Sequence, residues 1–106
     1  MQIEYQRKDE RGELIQIATG NFRVLKLIRI KAGKEFGGHY HLKSAEFFYV
    51  NKGVVLATIG GNCEVYEQGE CFKVAVGLDH TIYAQVDTEL IEVSTGRFDK
   101  DDIRKR

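Results

Sequence analysis

Eleven glycines and no proline cut this chain into short pieces, and that punctuation limits its folds more than any other feature. Between the glycines lie runs rich in Val, Ile, Phe, Tyr and Thr: ELIQIA, FRVLKLIRI, EFFYV, VVLATI, CEVY, CFKVA, HTIYAQV and ELIEVST. Short β-prone runs bounded by turn residues predict an all-β sandwich or barrel. No stretch before the tail carries the amphipathic period of a helix, which argues against alternating βαβ units. The tail, GRFDKDDIRKR, sets acidic before basic residues. That order suits the dipole of a short exposed helix, so a C-terminal helical turn is expected.

A chain of 106 residues suits a single domain over 1–106. Lys plus Arg and Asp plus Glu each number 16. Such balance speaks against a general nucleic-acid binder, because phosphate affinity comes from accumulated Lys and Arg. No apolar run approaches the roughly 20 residues of a membrane helix. The opening segment MQIEYQRKDERGEL has no apolar core of a secretory signal, so a cytoplasmic protein with no membrane partner is expected. Cys63 and Cys71 flank EVYEQGE at a spacing that fits no zinc knuckle. Two reduced thiols are the expectation, although a turn between them leaves a cross-hairpin disulfide open.

The run FRVLKLIRI is apolar at Val24, Ile28 and Ile30 and also on the opposite parity, at Leu25 and Leu27. A strand that faces a core on one side and a second subunit on the other would read this way, and a homodimer is expected. Arg23 and Arg29 share one parity and Lys26 has the other, so at most one set can reach a barrel mouth. An outer, solvated face is expected for these cations.

The chemistry concentrates in GHYHLKSAE, which holds two of the three histidines. Successive strand side chains point to opposite faces, so His39 and His41 share a face and Tyr40 leaves it. Two imidazoles spaced this way can reach one cation. Glu46 joins them if HLKSAE bends and a new strand starts at Glu46, grouping Glu46, Phe48 and Val50 on one face. His80 follows the turn-like AVGLD and groups with Ile82 and Ala84. Across a barrel, His80 can complete a site of three imidazoles and one carboxylate around a divalent ion. Fe, Mn, Ni and Zn all suit that donor set. Phe48, Val50, Ile82 and Ala84 would line the pocket beside it. No general base is evident, and the catalytic residues stay unassigned.

The same residues resemble the cupin family. Gly33, KEFGG, His39-Tyr40-His41, LKSA, Glu46, FFYVNK and Gly53 match the spacing of its first motif. Gly69, ECFKV, Ala75, Val76, Gly77, LD, His80, TIY and Ala84 match the second, with Ala75 where proline is usual and Ala84 where asparagine is usual. The resemblance implies a double-stranded β-helix, or jelly-roll barrel. It also implies His39, His41, Glu46 and His80 as metal ligands, and frequent dimers. DERGELIQI with GGHYHLKSAEFFYVNKG is further similar to cupins of bacterial surface-polysaccharide synthesis, including nucleotide-sugar ketoisomerases. The closing LIEVSTGRFDKDDIRKR is similar to the end of phosphomannose-isomerase-type cupins. Both imply a phosphorylated or nucleotide-linked sugar as the small-molecule ligand. Three functions stay open: sugar isomerisation or epimerisation, Fe(II)-dependent dioxygenation of a small organic substrate, and non-catalytic metal or sugar binding.

Overall fold

A computed structural model describes residues 5–41, 45–95 and 103–105, with 38–41 and 103–105 described by their backbone alone. The described residues form strands and turns throughout. The strands are β1 (Tyr5–Asp9), β2 (Gly12–Gln16), β3 (Val24–Ile30), β4 (Glu35–His41), β5 (Glu46–Lys52) and β6 (Val54–Ile59). After them come β7 (Asn62–Glu67), β8 (Cys71–Val74), β9 (His80–Ala84), β10 (Thr88–Ser94) and β11 (Ile103–Lys105). Each β-prone run between glycines contributes one of them. No helix among the described residues is long and apolar enough to cross a membrane.

The strands form two main antiparallel sheets, β3-β10-β5-β8 and β11-β4-β9-β6-β7, with β1 and β2 paired as a separate hairpin. Both main sheets alternate buried and open positions, the mark of sheets with one face on a core. From one sheet Phe48, Val50, Phe72, Val74 and Leu90 enter that core, and from the other Val55, Ala57, Ile82 and Ala84. The Phe48 and Phe72 rings stack at 4.9 Å, and Tyr66 stacks on Phe72 at 4.6 Å. Through Tyr66 and Phe72 the β7 edge of one sheet closes on the β8 edge of the other. The β3 and β11 edges stand at the other ends of the two strand orders. This is the architecture of a jelly-roll, or double-stranded β-helix.

One sequence expectation is corrected, and one alternative left open is closed. The end of the tail is strand, because Ile103–Lys105 finds hydrogen-bonding partners along β4 at His41, Tyr40 and His39. Local charge order favoured a helix, but a ladder partner far away in sequence outweighs it; residues 96–102 lie outside the described residues. Cys63 and Cys71 are both free, one exposed and one buried. The turn between them does not make a hairpin, since β7 and β8 belong to different sheets.

Tyr66 links the core to the surface. Partial burial, with a hydrogen bond donated to Glu64 at 2.9 Å, pushes its phenol up from 10.0 to about 12. The folded state thus holds the proton more tightly than the unfolded chain. The resulting stability is full below pH 10 and is lost as pH rises through about 12. In denaturation series at pH 9 and pH 12, the wild type is expected to lose more stability than Tyr66→Phe. Parallel losses would contradict the assignment.

Candidate metal centre

The site is built at one end of the barrel, where β5 and β9 begin. Glu46 opens β5 and points inward with Phe48 and Val50; it is 4% exposed. His80 opens β9 and points inward with Ile82 and Ala84, at 1% exposed. The two come from different sheets, yet Glu46 Oε1 and His80 Nε2 lie 3.8 Å apart. Phe48 leans against His80, its ring centroid 6.2 Å away. Phe48, Val50, Ile82 and Ala84 all lie in the packed core below this pair.

His39 and His41 are on β4, and their side chains lie outside the described residues. Their backbone register is described. Phe36 pairs with Ile82 and Gly37 with Thr81, and the register then shifts so that His39 pairs with His80. Gly38 is the extra residue of a β-bulge. The bulge sets His39 opposite the buried His80 in the ladder. Gly37 makes it possible: its φ is +123°, and a Cβ there would meet the His80 carbonyl oxygen and come within 2.8 Å of Thr81 Cα.

The residues present fit a metal ion. Donors bound to one ion at about 2.1 Å each lie no more than about 4.2 Å apart. The carboxylate oxygen and imidazole nitrogen, at 3.8 Å, satisfy that limit. One hard anionic donor with imidazole suits a divalent transition ion. Among the described residues there is no group of three or more candidate ligands, and the imidazoles of His39 and His41 are outside that set.

The inner wall also carries charge that sequence reasoning assigned elsewhere. Lys26 was expected on an outer face. Instead it shares the inward parity of Ile28 and Ile30 and pairs in register with Glu92. Glu92 lies inward between Leu90 and Ser94, and its side chain is 5% exposed. Lys26 Nζ stands 3.8 Å from Glu92 Oε2, with half of the lysine side chain open to solvent. Ser94 is the register partner of Glu46, and Glu92 that of Phe48. The outward set behaves as expected: Arg23 is exposed, and Arg29 reaches Glu89 at 3.2 Å on the surface. Applying the alternation of Leu90 to Glu92 and Ser94 would have found the inward carboxylate.

A two-sheet barrel with a buried carboxylate–imidazole pair at one end defines a small jelly-roll class of β protein. The chain belongs to the cupin family, whose cupin-domain model matches residues 26–96. No curated protein matches in sequence. Among solved structures, a 3,4-ketoisomerase from Helicobacter canadensis is similar over 98% of this chain and 87% of its own, with TM-score 0.83 and 14% identity. The dTDP-4-dehydrorhamnose 3,5-epimerase of Sulfolobus tokodaii is similar over 94% of this chain and 72% of its own, with TM-score 0.81 and 15% identity. A salicylate 1,2-dioxygenase from Pseudoaminobacter salicylatoxidans is similar over 67% of this chain and 21% of its own, with TM-score 0.64 and 21% identity. At such identities the likeness is one of fold.

Proposed function

We propose that this cupin isomerises or epimerises a phosphorylated or nucleotide-linked sugar, with His39, His41, Glu46 and His80 holding one divalent transition ion. The observation that carries the reading is the buried Glu46–His80 pair, with His39 brought into register beside it by a bulge. When bound, such an ion supplies Lewis-acid polarisation of a carbonyl oxygen. The protein's own part is to hold the sugar against that wall and keep bulk water out, for which Phe48 and Ile82 form an apolar floor. The near-complete overlap with the ketoisomerase and epimerase folds favours sugar chemistry over the partial overlap with the dioxygenase.

The same apolar floor favours a second reading, Fe(II)-dependent dioxygenation of a small organic molecule. Incubation with a dTDP-linked 4-keto hexose under strict anaerobiosis separates the readings. Conversion without oxygen supports the isomerase. Oxygen uptake that requires iron supports the dioxygenase. Ligand-dependent stabilisation without turnover marks a binding module. Glu46→Gln is expected to weaken metal affinity at least about tenfold by calorimetric titration, since a neutral amide is a poorer ligand. Equal affinity would exclude a direct bond.

Self-association belongs to the same proposal. Leu25 and Leu27 are 72% and 55% exposed on β3, an edge strand that a second copy can extend by antiparallel pairing about a twofold axis. Light scattering on Leu25→Glu/Leu27→Glu is expected to show the smaller species, and an unchanged mass would overturn this contact.

A further inference from the structure

The Lys26–Glu92 pair stands on the wall that carries Glu46. A carboxylate and an ammonium could be solvated anywhere on this highly charged chain, yet Glu92 is 4% exposed within the inward row Thr88, Leu90, Glu92, Ser94. Burying the Glu92 carboxylate costs desolvation that an apolar side chain avoids, so stability alone gives little reason to keep it. Glu92 is the diagonal neighbour of Glu46 across the β5–β10 ladder. Diagonal neighbours are roughly 7–8 Å apart, within reach of one small substrate. Lys26 reaches Glu92 from the neighbouring strand β3, with half its side chain in solvent. A ligand approaching from solvent meets the ammonium first and the buried carboxylate behind it.

We propose that Glu92 is the proton-transferring carboxylate of this barrel and that Lys26 serves the oxygens of the same substrate, an inference that rests on the sugar-isomerase reading above. Glu92 takes the proton from the hydroxyl-bearing carbon next to the carbonyl. The C–H pair becomes a C=C bond, the carbonyl π pair moves to oxygen, and the Lys26 ammonium protonates that oxygen. On return, the neighbouring hydroxyl gives its proton back to Lys26 and becomes the new carbonyl. Glu92 then delivers its proton to the former carbonyl carbon. Nothing is oxidised or reduced overall, and no co-reactant is consumed.

The test is turnover of a dTDP-linked 4-keto hexose in D2O, with deuterium at the carbons flanking the carbonyl read by NMR. Glu92→Gln is expected to lower kcat and deuterium uptake by about 10²–10⁴-fold, with KM and metal stoichiometry unchanged. Glu92→Asp is expected to recover part of the loss. Lys26→Met/Glu92→Leu is expected to be inactive yet at least as stable as the wild type in denaturant, which separates loss of chemistry from loss of fold. An active wild type with an equally active Glu92→Gln overturns this inference and leaves the isomerase reading standing. A double variant markedly less stable than the wild type makes the pair structural and also overturns it. A wild type inert toward the sugar overturns both.

Discussion

Gly37→Ala is expected to lose about 3–4 kcal/mol of stability in chemical denaturation, with metal affinity falling along with it. The loss has two sources. The backbone of Gly37 sits at φ +123°, which an L side chain adopts only with strain. In addition, a Cβ would press on the His80 carbonyl and stand 2.8 Å from Thr81 Cα, atoms of the β9 backbone that cannot swing aside. Relief requires β4 and β9 to separate where the bulge sets His39 opposite His80. Gly33→Ala is the control. Its φ is +81° but nothing lies within 4 Å of the added carbon. It is expected to cost only about 1–2 kcal/mol and to leave metal affinity unchanged. Similar effects from the two substitutions would remove the bulge from the account.

Phe48→Ala carries the second large effect, about 3–5 kcal/mol, the usual range for emptying a buried aromatic position. Phe48 is 1% exposed and stacked on Phe72 at 4.9 Å. It also borders His80, with ring centroids 6.2 Å apart, so the cavity opens beside the proposed site. Metal affinity should therefore fall together with stability. Val50→Ala, two positions along the same strand and one step further from His80, is expected to cost about 2 kcal/mol and to keep full metal affinity. If both variants bind metal as the wild type does, Phe48 is core alone and takes no part in holding His80.

Strand alternation made much of this wall readable. Glu46, Phe48 and Val50 group inward on β5, and His80, Ile82 and Ala84 on β9, as the period-two alternation of a strand groups them. The bulge was not readable from alternation alone. The spacing of His39 and His41 carries no sign of the extra residue Gly38, and only that insertion gives His39 the register of His80. Glu92 was missed because β10 is apolar on both parities: Leu90 faces the core while Ile91 and Val93 contribute to an apolar groove outside. Lys26 was missed with it, since β3 likewise carries leucines outward and isoleucines inward. β1, YQRKD, has little intrinsic strand preference and is ordered by its pairing with β2. β11 depends on a partner remote in sequence, which no local pattern announces.

The central claim is that Glu46 and His80 bind the same ion. Calorimetric titration of chelator-stripped protein with Zn(II) or Mn(II) addresses it directly, with wild type and Glu46→Ala/His80→Ala compared side by side. The account predicts a single saturable site per chain in the wild type and none in the double variant, with both folded by circular dichroism. Equal stoichiometry and affinity in the two proteins would contradict it.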